Sequence, residues 1–217
     1  MVAVAYRNLP VNDRAVGGDQ TATSSRVDRR AHRELQRAAG QSLLAVLLQQ
    51  EQLRALSTLS VAGKPVLVAQ NRSSPVGVSL SHSGSVVMAG ITDLGEIGID
   101  VENRKAKRSV DEIAAFAFGP RERHTVEVEG PAAFYRIWTL REAFSKAQGI
   151  GFPILVDGID YFPEAHGLST WQATINGRSW FFSTSELPDD YAIAVAIAPR
   201  FEGASVRAEE LIPRVLL

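Results

Sequence analysis

The hexapeptide IGIDVE, residues 97–102, decides how the rest of the chain is interpreted. Side chains two residues apart on a strand share a face, so Asp100 and Glu102 point the same way while Ile99 and Val101 pack behind them. Two carboxylates on one face repel each other unless a positive charge lies between them, and hard cations such as Mg²⁺ prefer oxygen ligands. The hexapeptide therefore predicts either a cation-binding strand or a strand end with two solvated acids.

Outward from this strand, helical periodicity and strand-like runs follow one another in separate blocks. Segregated strand runs argue against an alternating parallel-sheet fold. The order predicts an α+β fold with two halves of similar plan. The predicted helices are 25–52, 109–118 and 131–148, and the predicted strands are 66–68, 76–80, 86–92, 96–101, 154–162, 171–175, 179–184 and 191–197.

The chain divides into three predicted parts. Residues 1–24 mix glycine, aspartate, asparagine, threonine and serine with little periodicity, which indicates a mostly flexible arm. Residues 25–103 are the N-terminal half and residues 104–217 the C-terminal half. The first 108 residues carry 14 basic and 9 acidic side chains, whereas the remainder carries 9 basic and 15 acidic ones. This asymmetry indicates a binding crevice between unlike halves, or it arises by chance.

The segment WTLREAFSKA, residues 138–147, has the pattern of a helix. A spacing of four residues puts Trp138, Glu142 and Lys146 on one face of that helix. Glu142 and Lys146 form either an ordinary surface ion pair or part of a site. In the second case Glu142 supplies a third carboxylate for the strand pair, and Lys146 meets a phosphate.

A histidine lies among small hydroxyl residues in the segment SLSHSG, residues 79–84. Hydroxyl and backbone donors in such a turn can bind a phosphate, although a histidine there can equally be an ordinary loop residue. The nucleophile elbow G-x-S-x-G of serine hydrolases does not occur in the chain. Neither do the Walker A and G-x-G-x-x-G phosphate-binding motifs, and the four histidines lack zinc-site spacing.

The composition excludes several classes of protein. The 217 residues include 23 basic and 24 acidic side chains, so there is no overall basic field that would favour nucleic acid. The absence of cysteine excludes disulfides, cysteine nucleophiles and thiolate metal sites. The apolar runs are too short for a membrane span or a signal peptide. We expect a cytoplasmic protein that binds neither nucleic acid nor a membrane.

Four motifs in order and spacing carry a family resemblance. They are GKP at 63–65, LSHS at 80–83, IGIDVE at 97–102 and WTLREAFSKA at 138–147. Together they resemble the 4′-phosphopantetheinyl transferases, in particular the larger Sfp type with two pseudo-duplicated halves. The resemblance extends over about residues 26–200 and includes the pair Phe118 and Glu122.

The resemblance implies an activity. Members of this family transfer the 4′-phosphopantetheine arm of coenzyme A to a serine of an apo acyl or peptidyl carrier protein and release 3′,5′-ADP. Coenzyme A lies in the cleft between the halves. The alternative is a non-catalytic coenzyme A-binding or scaffold protein that has kept the fold. A single chain that supplies both halves implies a monomer.

The resemblance also assigns residues. It implies Mg²⁺, or Mn²⁺, on Asp100, Glu102 and Glu142. Glu142 is the candidate general base, directly or through a water molecule, with Asp100 as the alternative, and Lys146 stabilises charge on the leaving group. The implied contacts with coenzyme A are made by Arg33, Lys64, Pro65, Ser81, His82 and Lys146.

Arg141 departs from the family pattern. It stands where the family usually has lysine before the catalytic glutamate, and an arginine places its charge differently.

The basic stretch of residues 104–108 follows the carboxylate strand directly. It is either a solvated loop or a surface that docks an acidic carrier protein through complementary charge.

Overall fold

The structure of the chain is a computed structural model. The structure describes residues 2–9, 22–51, 53, 57–61, 64–69, 72–73, 76–150, 169–201, 206–207 and 214–215. The helices are α1 (Ala22–Gln50), α2 (Val110–Ala117), α3 (Pro120–Glu129) and α4 (Pro131–Gln148). The strands are β1 (Val2–Asn8), β2 (Ser57–Val61), β3 (Lys64–Ala69), β4 (Arg72–Ser73), β5 (Gly77–Ser83), β6 (Val86–Thr92), β7 (Gly95–Asn103), β8 (Ser169–Ile175), β9 (Arg178–Leu187), β10 (Tyr191–Pro199) and β11 (Arg214–Val215).

Two four-stranded sheets form the centre of the molecule. The first sheet has the order β11-β1-β6-β5, and the second has the order β7-β10-β9-β8. Strands β6 and β10 are central and buried along their whole length, which explains their nearly uninterrupted apolar sequences. A small third sheet, β2-β3-β4, extends the first half. This mixture of helices and antiparallel sheets in two sheet halves confirms the predicted α+β fold.

The core is arranged in layers. One face of the first sheet packs on α1, through Leu43, Leu44 and Leu47 of the helix. Its other face packs against the second sheet, whose far face is covered by α4. The order of layers is therefore α1, first sheet, second sheet, α4. Because strand side chains alternate between faces, each residue of β7 faces either the inter-sheet core or α4.

The predicted flexible arm at residues 1–24 is wrong for its first part. Residues 2–8 form β1, which pairs antiparallel with β6 from Val2↔Thr92 to Asn8↔Val86. The strand covers what would otherwise be an open edge of β6. A composition average over residues 1–24 hid this apolar run among the polar residues that follow it. Helix α1 begins at Ala22, inside the predicted arm, and residues 10–21 lie outside the described part of the chain.

The predicted boundary at 103/104 also moves. Strand β7 pairs with β10 in the second sheet, from Gly95↔Pro199 to Asn103↔Tyr191. The division between the sheets therefore falls in the turn between β6 and β7. At the other end of the chain, β11 returns to the first sheet and pairs with β1. Residue proximity along the chain could not show this exchange, because it depends on pairing between distant strands.

The helices largely follow the predictions. Helix α4 begins at Pro131 and ends at Gln148, and the φ of 71° at the next residue, Gly149, is the left-handed conformation of a C-terminal cap. Helix α3 was not predicted, because Gly119-Pro120 was interpreted only as the end of α2, whereas proline also suits the first turn of a helix. No helix in the described ranges is long and apolar enough to cross a membrane. The predicted strand at 154–162 lies outside the described residues.

Candidate active site

Helix α4 lies unusually close to β7 at Gly98. A Cβ atom at this position would lie 1.8 Å from the carbonyl oxygen of Ala143 and 2.5 Å from the amide nitrogen of Ala147. No side chain larger than hydrogen fits such a contact, so Gly98 sets the distance between helix and strand. The next two residues of β7 on the same face are Asp100 and Glu102. Their predicted common orientation is confirmed, since both contact side chains of α4.

The predicted polar face of α4 is turned towards these two carboxylates. Trp138 donates a hydrogen bond from Nε1 to Oε1 of Glu102 over 2.9 Å. Two turns later, Lys146 Nζ lies 2.6 Å from Oδ1 of Asp100. Glu142 lies between Trp138 and Lys146 on the helix, and its electrostatic neighbours are Asp100, Lys146 and Glu102. The structure therefore brings together the three predicted catalytic residues, Asp100, Glu142 and Lys146, and the further predicted metal ligand Glu102.

Glu102 is held by protein groups at both carboxylate oxygens. Besides the Trp138 contact at Oε1, its Oε2 accepts hydrogen bonds from Ser83 Oγ at 3.0 Å and from Arg108 at 2.7 Å. Burial raises the pKa of Glu102 above its usual value, and the nearby charge of Asp100 adds to this effect. Arg108 opposes the shift. The arginine also lies over the Trp138 ring, 5.9 Å from its centroid.

The pKa of Glu142 is raised from 4.5 to about 7. Burial is the largest cause, because it disfavours the charged form, and the negative charge of Asp100 is the second. Lys146 acts in the opposite direction. A carboxylate with a pKa near neutrality suits proton transfer at physiological pH.

The chemistry of these groups fits a hard cation. Asp100 Oδ1 is bonded to Lys146 and Ser81, whereas its buried Oδ2 has no hydrogen-bond partner among the described residues. An unpaired buried carboxylate oxygen next to two further acids is a ligand set that Mg²⁺ or Mn²⁺ would satisfy. No three acidic or histidine side chains in the described part of the chain already stand close enough to hold a metal. Lys146 and Arg108 instead provide the positive charge beside Asp100 and Glu102.

Ser81 and His82 point in opposite directions from β5. Ser81 is buried, and its hydroxyl donates to Asp100 Oδ1 at 2.9 Å while it accepts from Lys146 Nζ at the same distance. Because neighbours on a strand face opposite sides, the two side chains predicted to contact the phosphate point away from each other, and the Ser81 contact stays a prediction. His82 is exposed on the α1 side and remains a predicted phosphate ligand. Partial burial and the charges of Lys146 and His32 lower its pKa.

Helix α1 approaches the turn that follows His82. His32 Nε2 and Gln36 Nε2 lie 3.1 Å and 2.9 Å from the carbonyl oxygen of Gly84. Arg33, the next residue on α1, is exposed. Sequence analysis assigned no role to His32, although it directly precedes Arg33. Lys64 and Pro65, which we predict to contact the nucleotide, are the first two residues of β3. Pro65 is half-buried, and the side chain of Lys64 lies outside the described part of the chain.

Arg141 does not belong to the carboxylate site. It is 2% exposed and forms a two-point ion pair with Glu122 of α3, with distances of 2.9 Å and 2.5 Å. Oε2 of Glu122 also accepts the amide hydrogen of Gly119 at 2.8 Å. The guanidinium lies over the Phe118 ring. Arg141 therefore joins α3 to α4 and has a structural role.

The basic stretch of residues 104–108 is not uniformly available for docking. Arg104 bonds to Asp190 and Glu186, both at 2.6 Å, and thus ties the end of β7 to the β9–β10 hairpin. Arg108 bonds to Glu102. Of the four basic residues, only Lys105 and Lys107 are exposed. The hypothesis that this stretch docks an acidic carrier protein is therefore restricted to these two lysines.

Comparison with known proteins agrees with this geometry. Residues 96–196 match the family model described as the 4′-phosphopantetheinyl transferase superfamily. This range begins one residue into β7 and includes α4 and most of β10. It therefore contains the carboxylate strand, the helix opposite it and the strand that pairs with β7.

Individual relatives carry the same description. The 4′-phosphopantetheinyl transferase AcpT of Salmonella typhi is 36% identical over 102 residues, which are 44% of this chain and 53% of that protein. The transferase pptA of Paxillus involutus is 32% identical over 164 residues, 65% of this chain and 60% of that protein. A Bacillus subtilis 4′-phosphopantetheinyl transferase is 28% identical over 62% of each chain. The chain thus matches between about half and three fifths of the length of these relatives, and its residues 96–196 are similar to the 4′-phosphopantetheinyl transferase superfamily.

Proposed function

We propose that the chain transfers the 4′-phosphopantetheine arm of coenzyme A to a serine of an apo acyl or peptidyl carrier protein. One observation carries this proposal: Asp100 and Glu102 of β7 meet Glu142 and Lys146 of α4 within the region that matches the superfamily. Three acids and one lysine at a single junction are suited to a substrate that carries a pyrophosphate.

The reaction is a displacement at phosphorus. The serine oxygen of the carrier attacks the β-phosphorus of coenzyme A, and the bond from that phosphorus to the oxygen bridging to the α-phosphate breaks. The electron pair of the broken bond stays with 3′,5′-ADP. Positioning and electrostatic stabilisation supply most of the rate in such transfers.

The chain's own residues have separate tasks in this scheme. Lys146, whose side chain is 32% exposed and lies beside Asp100, binds the phosphate oxygens on which negative charge accumulates. Glu142 accepts the serine proton, directly or through a water molecule, and Asp100 is the alternative acceptor. Either carboxylate then passes its proton to solvent or product.

Asp100, Glu102 and Glu142 would hold a divalent cation, Mg²⁺ or Mn²⁺. Such a cation, when bound, neutralises charge on the pyrophosphate and on the three acids together. The unpaired Oδ2 of Asp100 supports this assignment. Lys146 and Arg108 neutralise part of the same charge in the protein as it stands.

The nucleotide of coenzyme A is assigned to the α1 side of the first sheet. Exposed His82 and Arg33 are the proposed phosphate ligands there, and Lys64 with Pro65 would line the nucleotide from β3. Ser81, the other predicted ligand on β5, lies on the opposite face of the strand, where its hydroxyl donates to Asp100. The two sheet halves within one chain favour the two-half type of transferase, active as a monomer in the cytoplasm.

Intact-protein mass spectrometry tests the function. An apo carrier protein incubated with the chain, coenzyme A and Mg²⁺ should gain the mass of one phosphopantetheinyl group. Glu142→Gln and omission of the metal should abolish the gain, whereas Glu127→Gln, an exposed acid on α3, should leave it intact. Binding of coenzyme A without transfer to several carriers would indicate a non-catalytic coenzyme A-binding protein instead.

A further inference from the structure

Strands β5 and β7 are joined by serine side chains. Ser79, Ser81 and Ser83 lie on one face of β5, and each hydroxyl accepts a hydrogen bond from a backbone N–H of β7. The three bonds are Ile99 N to Ser79 Oγ at 3.1 Å, Val101 N to Ser81 Oγ at 3.3 Å and Asn103 N to Ser83 Oγ at 3.1 Å. We call these three residues the serine ladder. It links the edge of the first sheet to the edge of the second.

Two of the three hydroxyls also donate to carboxylates of the candidate site. Ser81 donates to Asp100 Oδ1 at 2.9 Å, and Ser83 donates to Glu102 Oε2 at 3.0 Å. The residue in the corresponding position beside Ser79 is Gly98, which has no side chain. The ladder therefore contains two members that contact an acid and one that does not.

We propose that Ser81 and Ser83 are positioning residues that aim the Asp100 and Glu102 carboxylates at a bound divalent cation. A hydroxyl suits this role because it can accept from a backbone N–H and donate to a carboxylate at the same time. Each serine thereby fixes one carboxylate relative to the backbone of β7, the strand that carries the carboxylate. Supporting hydrogen bonds of this kind commonly tune the metal affinity of carboxylate ligands.

The arrangement also makes the two halves depend on each other. The serines belong to the first sheet, whereas the acids they orient belong to the second. Burial of Ser81, which is 4% exposed, keeps water from replacing its hydrogen bonds. Small relative shifts of the sheets would therefore turn the carboxylates away from the position that a cation needs.

The inference rests on the proposed function and is tested through metal binding as well as activity. Mn²⁺ binding to the purified full chain, with coenzyme A present, is measured by electron paramagnetic resonance for the wild type, Ser83→Ala, Ser83→Thr and Ser79→Ala. Phosphopantetheine transfer and the melting temperature are measured on the same samples. Ser79→Ala is the matched control, since it removes a ladder contact that involves no acid.

We expect Ser83→Ala to weaken Mn²⁺ binding roughly tenfold to a hundredfold, as the loss of a supporting contact does at other metal sites. Ser83→Thr keeps the hydroxyl and should restore binding. Ser79→Ala should lower the melting temperature about as much as Ser83→Ala while Mn²⁺ affinity stays at the wild-type value.

Equal Mn²⁺ affinity in Ser83→Ala and Ser79→Ala would overturn the inference. So would a failure of Ser83→Thr to bind better than Ser83→Ala when both variants are folded. Absence of transfer by the wild type, with or without Mn²⁺ binding, would instead count against the proposed function. The Mn²⁺ affinities of the variants keep the two failures distinguishable.

Discussion

Two ion pairs on α4, five residues apart along the chain, have opposite characters. The pair Arg141–Glu122 is closed: both partners are at most 6% exposed, and both carboxylate oxygens accept hydrogen bonds. The pair Lys146–Asp100 is open, because the lysine is 32% exposed and Asp100 Oδ2 has no hydrogen-bond partner among the described residues. In these two pairs, the carboxylate whose oxygens both accept hydrogen bonds belongs to the scaffold, and the carboxylate that keeps an unpaired oxygen belongs to the candidate site.

The largest effect is expected from Asp100→Asn in the open pair. The amide keeps the size of the side chain but removes the charge from Oδ2, so transfer should fall roughly a hundredfold to ten-thousandfold. The rate of phosphopantetheine transfer measures this loss, and urea unfolding shows whether the fold survives. A variant with near wild-type transfer would remove Asp100 from the site.

Glu122→Ala should break the closed pair, and here we expect a loss of stability while activity is kept. It leaves a buried guanidinium without its partner, which typically costs about 3–5 kcal/mol of stability. Urea denaturation measures this cost. Below the unfolding transition, kcat should stay close to wild type, and a loss of kcat much larger than the unfolded fraction would contradict the structural role of the pair.

The pH dependence of stability tests the open site in the absence of metal. Because the folded-state pKa of Glu142 is raised from 4.5 to about 7, the folded protein binds more protons than the unfolded chain between these values. The contribution of Glu142 to the free energy of unfolding is therefore present at low pH and is lost as pH rises through about 7.

Glu142→Gln removes this loss at high pH, because the amide stays neutral at every pH. In the presence of a chelator, we expect the melting temperature of the variant to exceed that of the wild type by about 2–4 °C at pH 8, equivalent to roughly 1 kcal/mol after solvent screening. The difference should shrink towards pH 5, and Mg²⁺ should raise the melting temperature of the wild type more. A constant difference at every pH would assign the effect to packing.

The smallest effect is expected at the exposed residues Lys105 and Lys107, which belong to neither the closed nor the open ion pair. Lys105→Glu with Lys107→Glu should raise the KM for an acidic carrier a few-fold, since charges at the rim of an interface act mainly on encounter. The KM for coenzyme A should stay constant. Arg123→Glu, an exposed charge reversal on α3, is the control. Unchanged carrier KM in the double variant would indicate a solvated loop.

Local patterns in the sequence predict much of the site. Alternation placed Asp100 and Glu102 on one face, and four-residue spacing placed Glu142 and Lys146 on another, because strand and helix periods are local properties of the chain. Gly149 was predicted as the cap of α4 for the same reason. The errors concern partners: the strand at 2–8 and the half to which β7 belongs both depend on pairing with distant residues.

The sequence by itself determined which residues could form the site and the family to which the chain is similar, because residue type and local period are written in the chain. The tertiary structure alone decided how each charge is used. Arg141 and Arg104 form ion pairs that hold the fold together, whereas Lys146 faces the site, although all three are basic side chains. The physical reason is that burial, pairing and the close approach at Gly98 arise only when separate elements pack together.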